Sequence, residues 1–485
     1  MGEYDAPRAR DRLLCVDALL RAVRRSRAGD LSPAVSGMAG ARGYAKGTIF
    51  RDRTCCSITR TMERAMARSI LSMIFPRRFG QWFGPLLATG AAILAVAIII
   101  LSAGWINLSA SIPHPPGWAL ILHGVFRRST AYHARGLTIP AEFGSPRQVA
   151  KGAAYYGRVC ARCHSGPGLG QNPVALSMRP RPQYLFREID KFPPRDLFWV
   201  VKHGVKYSGM PSWPVQDRDD EVWSVVSFLK QMPKMTTAQF EALAYGDRSS
   251  APSGPRAGPV NGASHGYVLP NFLAPPVDSH RYTAPAIGFD SIGDSGSLIA
   301  GCVACHGADG AGRPSGAFPN IALLNKVYIR DALTSFRNGT RQSGYMQTVA
   351  VQLSDDRIAA LADYYASQPR RQSMKLAPAP AMLALGRQLA TDGDAKRGIG
   401  ACSTCHGAEG ASPKGFSALD GQFPGYLAEQ LKLFRIGVRG AEPGNSMGPL
   451  ARNLTDREID AVSLYYAARM PGAPAPQPAA SLSGG

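Results

Sequence analysis

A short motif, Cys-x-x-Cys-His, occurs three times in this sequence, always after residue 150, and takes up six of its nine cysteines. Each copy is preceded by a short helical pattern that contains a glycine, at Gly152, Gly296 and Gly386 in turn. Each is followed by a methionine in a loop-like stretch and then by an amphipathic helical pattern rich in aromatic residues. A unit that recurs in this way predicts a small domain present three times. The motifs are Cys160-Ala-Arg-Cys163-His164, Cys302-Val-Ala-Cys305-His306 and Cys402-Ser-Thr-Cys405-His406.

The spacing of this motif is typical of covalent haem attachment. Two cysteines on one helical turn reach the two vinyl groups on adjacent pyrroles of haem, and the next residue, histidine, points at the iron. A thioredoxin-type dithiol or a structural disulfide does not need the histidine, and a zinc ribbon needs four ligands from distant pairs. We therefore expect three haem c groups, bound by Cys160, Cys163, Cys302, Cys305, Cys402 and Cys405 and ligated by His164, His306 and His406.

A methionine at a matched position in each repeat predicts the sixth iron ligand, because distal methionine raises the haem potential and suits an electron carrier. Met346 and Met447 are the only methionines between their histidine and the closing helix of the repeat. In the first repeat Met210 takes the matched position, with Met178 and His203 as rivals. Since every iron then has both axial ligands, we expect no catalytic residue.

An uncharged apolar stretch predicts a transmembrane helix at residues 82–106. It is longer than the apolar region of a signal peptide, so we expect an uncleaved anchor. Five arginines lie between residues 60 and 78, and the next charge after the stretch is Arg127. The positive-inside rule then places the N-terminus in the cytoplasm and the repeats in the periplasm, with the anchor in a bacterial inner membrane.

The remaining sequence divides by composition, and its 52 glycines and 38 prolines point to long loops and linkers. Residues 1–78 are expected to be a basic cytoplasmic tail or the product of a start codon assigned too early, and 112–144 a juxtamembrane segment. The predicted linkers are 236–291 and 369–380, and the predicted tail is 471–485. As a flexible coil, the longer linker has a root-mean-square end-to-end distance of about 35–40 Å. We therefore expect the second and third domains to swing relative to the first. The predicted domains are 145–235, 292–368 and 382–470.

Each repeat resembles a class I cytochrome c, with an N-terminal helix, the Cys-x-x-Cys-His motif, a methionine loop and an aromatic C-terminal helix. The last two repeats resemble the tandem dihaem cytochromes c in CHGADGAG and CHGAEGAS, FRNGTR and FRIGVR, ADYYA and SLYYA. The first, with CARCHSGPG and GMPSW, is closer to monohaem domains. The resemblance covers residues 145–470 and implies an all-α protein of small cytochrome c domains. Arg341 and Arg439 end the matched FRNGTR and FRIGVR phrases and are interpreted either as partners of haem propionates or as solvated loop residues.

The resemblance implies electron transfer from a quinol-oxidising complex or a dehydrogenase to a terminal oxidase or reductase. The alternative is a haem c subunit of a membrane-bound alcohol or gluconate dehydrogenase, which the chain length and the number of motifs also fit. A dihaem peroxidase is disfavoured, because it needs one haem with an open distal side. We expect redox complexes and the membrane as partners, with no nucleic acid and no small-molecule substrate.

Overall fold

A computed structural model describes residues 79–110, 112, 115–246, 297–407, 416–440 and 444–472. The predicted tail 1–78, most of the linker 236–291 and nearly all of the tail 471–485 lie outside these residues. Within them every regular element is helical, apart from one isolated β-bridge between Asp394 and Ile399. The all-α prediction is confirmed for the part of the chain that is described. The described residues fall into two units, which divide between Trp105 and Ile106.

Helix α1, Phe79–Ser102, lies in the first unit and coincides with the predicted anchor. Its segment Trp82–Ser102 has a mean hydropathy of 2.4, and among the described residues it is the one helix long and apolar enough to cross a membrane. The helix ends at Ser102 rather than at the predicted Ile106, because the chain turns at Gly104, which has a φ of 69°. Its apolar side chains are exposed, as Leu86 and Ile93 illustrate at 66% each.

The first helical group, residues 115–246, is built around the crossing of two helices, α3 and α8. Its helices are α2 Trp118–His133, α3 Pro146–Arg158, α4 Ala161–His164, α5 Pro173–Ser177, α6 Leu185–Glu188, α7 Pro194–His203, α8 Asp219–Gln231 and α9 Thr237–Tyr245, with 3-10 turns at Ile189–Lys191 and Met232–Lys234. At the crossing of α3 and α8, Gly152 allows the helices to touch, because a Cβ there would lie 2.0 Å from the carbonyl oxygen of Ser224. Tyr156 and Phe228 fill the core beside it, with ring centroids 5.1 Å apart.

The predicted linker 236–291 begins too early, because its first residues form helix α9. Thr236 and Gln239 make a reciprocal capping box that starts this helix. Phe240 and Ala244, one helical turn apart, are fully buried against the first group. The first group therefore continues to residue 246 rather than ending at 235, and the linker prediction applies only to residues outside the described part.

The second helical group, residues 297–368, surrounds the second motif. Its helices are α10 Ala300–His306, α11 Lys326–Arg337, α12 Met346–Ala350 and α13 Asp355–Ala366. Helix α10 carries the motif itself, whereas the helical pattern expected just before it, around Gly296, falls at the edge of the described residues. The core of this group joins Ile299 and Val303 to Leu361 and Tyr365 of the closing helix.

The third helical group, residues 380–472 without 408–415 and 441–443, repeats the helix crossing of the first. Its helices are α14 Pro380–Thr391, α15 Pro424–Arg435, α16 Met447–Arg452 and α17 Asp456–Ala468, with 3-10 turns at Ala395–Arg397 and Cys402–Thr404. Gly386 of α14 meets α17 so closely that a Cβ would lie 2.3 Å from the carbonyl oxygen of Ala461. Gly152 and Gly386, matched in sequence, thus have the same steric role.

The second and third groups share a hydrogen-bonded interface. The side chain of Gln422 accepts from the backbone N–H of Asn320 and donates to its carbonyl oxygen, both at 2.9 Å. The predicted short linker 369–380 lies across this interface, where Gln372 donates to the carbonyl oxygen of Ala467 at 2.9 Å and the N–H of Ser373 donates to Gly421 at 2.8 Å. These two groups therefore hold a fixed arrangement.

The first group also packs against the other two, which overturns the expected swinging motion. Lys151 of α3 forms an ion pair of 2.7 Å with Glu429 of α15, and Arg147 pairs with the same carboxylate. Arg313 of the second group donates to the carbonyl oxygen of Leu243 in α9 at 2.5 Å. The composition of a linker indicates its own flexibility but not the contacts between the domains that it joins, so this interface could not be predicted from the linker.

Candidate functional site

The three motifs lie on short helical turns that present their cysteines to partly buried positions. Helices α4 and α10 carry the first and second motifs, and the 3-10 turn Cys402–Thr404 begins the third. All six cysteines of the motifs are free thiols of intermediate exposure. Each turn therefore leaves two thiols available to one bound group.

The electrostatics of these thiols differ from those of a redox-active dithiol. Burial raises the pKa of Cys160 to about 12 and the pKa values of Cys302 and Cys402 to about 11. A thioredoxin-type or nucleophilic cysteine instead needs a pKa lowered by neighbouring positive charge or a helix N-terminus. These sites favour neutral thiols that react once with a bound cofactor.

Each motif histidine has the same hydrogen bond. Nδ1 lies 2.8 Å from the carbonyl oxygen of Gln183 at His164, 3.1 Å from that of Pro319 at His306 and 2.9 Å from that of Ser417 at His406. A carbonyl oxygen only accepts, so Nδ1 carries the proton and Nε2 keeps a free lone pair. Burial lowers the pKa of all three rings, which favours the neutral imidazole. This is the arrangement that a metal-ligating histidine requires.

The second motif opens into a mainly apolar cavity of about 180 Å³. Cys302, Cys305, His306 and Met346 all line it. Two thiols, an imidazole nitrogen and a thioether around one apolar space form the donor set that haem c requires. The residues at this site therefore fit the haem group that the motif implies, and the structure brings the predicted Met346 to the same cavity as the predicted proximal histidine.

Two matched arginines share the wall of this cavity. Arg341 lies over the ring of Phe336 at 4.5 Å, and Arg439 of the third group lies over Phe434 at 4.4 Å. Both donate to the hydroxyl oxygen of Tyr328, at 3.4 and 2.9 Å respectively. The interpretation of these arginines as solvated loop residues is wrong, because they are packed on aromatic rings beside the cavity.

The charge of this arginine pair is concentrated enough to shift a neighbouring tyrosine. Burial opposes ionisation of Tyr328, yet Arg341 and Arg439 together lower its pKa to about 7. Two guanidinium groups on one cavity wall are suited to bind carboxylates, because each presents a planar fork of donors. The wall thus has the charge expected of a site that receives haem propionates.

Met346 and Met447 occupy equivalent places in their groups. Each is the first residue of a short helix, α12 and α16, and each follows a loop. The N–H of Met346 donates to Ser343 Oγ at 3.1 Å, and the N–H of Met447 donates to Asn445 Oδ1 at 3.0 Å. The loop before each helix therefore fixes the position of the methionine backbone.

The first group brings both of its candidate methionines together. The side chain of Met178 packs on Gly209, beside Met210, so closely that a Cβ at Gly209 would lie 2.4 Å from the Met178 methyl carbon. His203 instead lies at the end of α7 with its ring 4.0 Å from that of Trp199, which stacks on His133. This aromatic packing disfavours His203 as a ligand and leaves the choice between Met210 and Met178.

Sequence reasoning missed that the second cavity is completed by the other two groups. Lys151 and Glu221 of the first group and Tyr426 and Glu429 of the third also line it. The acidic first turn of α8, Asp219-Asp220-Glu221, is by itself only what suits the start of a helix. Its unusual density of carboxylates was the one signal of a further role.

Two family models match this chain: "Cytochrome C oxidase, cbb3-type, subunit III" over residues 147–229 and "Cytochrome c" over residues 296–368. A "thiosulfate dehydrogenase electron acceptor" of Thiomonas intermedia is 40% identical over 174 residues, which are 35% of this chain and 79% of that relative. Cytochrome c4 of Thiocapsa roseopersicina is 32% identical over 39% of this chain and 96% of its own.

Among solved structures, cytochrome c4 of Acidithiobacillus ferrooxidans covers 34% of this chain and 98% of its own, with 31% identity and a TM-score of 0.31. The sequence relatives, of which this chain covers more than two thirds, agree with the motifs and with the helical architecture. The chain therefore belongs to the class I c-type cytochromes, with segments like the tandem dihaem members, and it is a haem protein that transfers electrons.

Proposed function

We propose that this protein is a membrane-anchored cytochrome with three haem c groups that passes electrons between periplasmic redox complexes. The observation that carries the proposal is the cavity that collects Cys302, Cys305, His306 and Met346. The same sequence pattern and the same histidine hydrogen bond recur in the first and third groups. The proposed covalent residues are Cys160, Cys163, Cys302, Cys305, Cys402 and Cys405, and the proposed axial ligands are His164 with Met210, His306 with Met346 and His406 with Met447.

The chain's own residues hold, orient and shield the cofactor. When bound, haem supplies a one-electron iron couple. The carbonyl partner of each Nδ1 keeps the ring in place and leaves Nε2 for the iron. Met346, which lines the same cavity as His306, would supply a second ligand to the iron and so leave no coordination position for a substrate, which favours electron transfer over catalysis. Arg341 and Arg439 are proposed to balance the propionate charge beside the second cavity.

The number of haems is tested by intact mass after acid–acetone extraction of loose haem. We expect the mass of the chain plus three haems. A matched variant, Cys305→Ala with His306→Ala, removes one motif and should lower the mass by one haem. A wild-type mass with fewer than three haems would contradict the proposal.

The proposed roles of Met346 and Met447 as iron ligands are tested by substitution. Met346→Ala and Met447→Ala should each remove about one third of the near-infrared methionine-to-ferric-haem absorption and lower one haem potential. Met374, which lies between the second and third groups, is the control, because Met374→Ala should leave the absorption unchanged. An unchanged band in Met346→Ala or Met447→Ala would remove that residue from the ligand set.

The donor is proposed to be a dehydrogenase or a quinol-oxidising complex, and the acceptor a terminal oxidase or reductase. The relatives named as electron acceptors of thiosulfate dehydrogenase make an enzyme of that class the first donor to test. Stopped-flow mixing with thiosulfate and a thiosulfate dehydrogenase should reduce the haems rapidly. Rapid reduction only by an alcohol or gluconate dehydrogenase would instead favour the alternative, a haem subunit of such an enzyme.

The membrane anchor is proposed to be α1, with the N-terminus in the cytoplasm and all three helical groups in the periplasm. Exposed Trp118, Leu120 and Val125 of α2 favour contact between the juxtamembrane segment and the lipid surface. Protease added to spheroplasts of the bacterial host should digest the helical groups and spare a small N-terminal fragment. A mature N-terminus beyond Ile106 would show that the segment is a cleaved signal.

A further inference from the structure

Glu221 in the first group and Glu458 in the third occupy the same position, the third residue of the closing helix of each group. Glu458 serves its own group: it completes the capping box with Thr455 and pairs with Arg397 at 2.6 Å. In α8 the residue before the helix is Arg218, which makes no side-chain cap. Glu221 is therefore free of the capping role that its counterpart has.

Glu221 instead binds the loop that precedes Met346 in the second group. Its Oε1 accepts from Ser343 Oγ at 2.7 Å and lies 3.0 Å from Arg218 Nη1. Its Oε2 accepts from the N–H of Gly344 at 2.7 Å and from Trp213 Nε1 at 3.3 Å. Four donors thus converge on one carboxylate whose residue is 1% exposed. Such a buried charge is stabilised only while these bonds hold.

A chain of two hydrogen bonds leads from Glu221 to Met346. Ser343 Oγ donates to Glu221 and accepts from the N–H of Met346 at 3.1 Å. The equivalent bond in the third group is made by Asn445, which belongs to the same loop as Met447. The second group therefore places its methionine with help from the first, whereas the backbone N–H of Met447 is held by a side chain of its own loop.

Aromatic packing holds the same loop from its other side. Tyr345 lies 4.8 Å from Tyr155 and 6.1 Å from Trp213, measured between ring centroids, and Tyr155 and Trp213 are 4.4 Å apart. The hydroxyl of Tyr345 donates to the carbonyl oxygen of Lys151 at 3.1 Å. Gly344 fits because a Cβ there would lie 2.7 Å from Trp213 Nε1. Both neighbours of Gly344 are thus fixed by residues of the first group.

We propose that Glu221 is a positioning residue for the second haem: the first group, through this carboxylate, sets the Met346 loop and so the axial ligation of a haem bound in another group. The inference rests on the proposed function, because it takes Met346 as an iron ligand. Its consequence is that the potential of the second haem depends on the docking of the first group.

The substitution Glu221→Gln tests this directly, because it keeps the size of the side chain. An amide has one acceptor oxygen and one donor nitrogen, so two of the four converging donors lose their acceptor. Glu458→Gln is the matched control: glutamine still completes a capping box, and the position has no contact with the Met346 loop. The two variants remove the same charge from equivalent helix positions.

In the full-length protein with three haems, Glu221→Gln should lose about one third of the near-infrared methionine-to-iron absorption and lower the potential of one haem. Glu458→Gln should retain the full absorption and all three potentials. Combining Glu221→Gln with Met346→Ala should cause no further loss, whereas combining it with Met447→Ala should remove about two thirds. An unchanged band and unchanged potentials in Glu221→Gln, or an equal loss in Glu458→Gln, would overturn the proposal.

Different results contradict the assignment of Met346 as an iron ligand and the positioning role of Glu221. If Met346→Ala keeps the full band, Met346 is not a ligand and the proposed function is wrong at that position, whatever Glu221→Gln does. If Met346→Ala loses its share and Glu221→Gln does not, the ligand stands and the positioning role falls. Where Glu221→Gln does not assemble with haem, Ser343→Ala breaks the same chain within the second group. It should lose the same share of the band, and an unchanged band there would refute the role.

Discussion

The crossing of α3 and α8 makes a sharp prediction about Gly152. Replacing a mid-helix glycine by alanine ordinarily stabilises a helix by about 1 kcal/mol. At Gly152 the new methyl group would lie 2.0 Å from the carbonyl oxygen of Ser224, 2.6 Å from its carbon and 2.9 Å from Phe228 Cβ. Two of these three atoms belong to a helix backbone, so they cannot rotate away and the helices must separate.

The clash outweighs the gain in helix propensity. Overpacking of a close-packed interior costs about 1–3 kcal/mol, and separation of α3 from α8 also loosens the aromatic core at Tyr156. We therefore expect Gly152→Ala to lower the free energy of unfolding by about 2 kcal/mol. This loss of stability should affect mainly the first group, because its Cys-x-x-Cys-His motif directly follows α3.

The assay is urea unfolding of the detergent-solubilised protein, followed by helical circular dichroism and by haem absorption. Gly124→Ala in α2 is the control, because an added Cβ there meets no atom within 4 Å. It should leave the stability unchanged or raise it. Gly386→Ala is a second test, since its Cβ would lie 2.3 Å from a carbonyl oxygen of α17. If Gly152→Ala is as stable as Gly124→Ala, the steric argument is wrong.

Two further predictions concern the first group and its contact with the third. If Met210 is the ligand of the first haem, Met210→Ala should lose about one third of the near-infrared band and Met178→Ala none; the reverse result would assign Met178. Burial opposes ionisation of Glu429, but Lys151 and Arg147 lower its pKa below the ordinary 4.5. The stability that Glu429 contributes is thus fully present above about pH 4.5 and lost on acidification. Urea unfolding should show Glu429→Gln destabilised at neutral pH, with the difference shrinking as the pH falls; a constant difference would refute the linkage.

The three Cys-x-x-Cys-His motifs and the short turns that carry them could be predicted from the sequence because the motif is local. A Cys-x-x-Cys-His motif carries its own spacing, and the matched Gly152 and Gly386 mark the helix crossings that the structure contains. The apolar run at 82–106 likewise predicts a helix by length and composition alone. The motif and the apolar run are each decided by residues adjacent in the chain, whereas each glycine marks only one side of its helix crossing.

The features that escaped prediction depend on residues far apart in sequence. Helix α9 was hidden because a short capping-box segment adjoins a Pro- and Gly-rich stretch, and only burial of Phe240 against the first group makes it stable. The role of Glu221 depends on Ser343 and Gly344, more than one hundred residues later in the sequence. Neither helical periodicity nor composition reports a partner at that distance.

Docking of the groups reverses an expectation about the linker. As a free coil, the segment between the first and second groups would let the dihaem part swing, and shortening it would slow electron delivery. In the structure Gly246 already lies against the second group: a Cβ there would be 3.2 Å from the carbonyl oxygen of Ala304 in α10. Arg313 secures the same contact by donating to Ala304 at 2.7 Å and to Leu243 at 2.5 Å.

We therefore expect deletion of residues 250–285 to leave both the reduction of the three haems and electron delivery to the acceptor unchanged. Breaking the interface should have the opposite effect. Lys151→Met with Glu429→Gln removes the ion pairs that Glu429 makes at neutral pH, and it should slow transfer between the first haem and the other two in flash-reduction kinetics. Electron tunnelling weakens steeply with distance, so even a slight separation of the groups reduces the rate. If the deletion slows delivery while the double variant does not, the groups move on their linker during turnover, and the docked arrangement is not the one that transfers electrons.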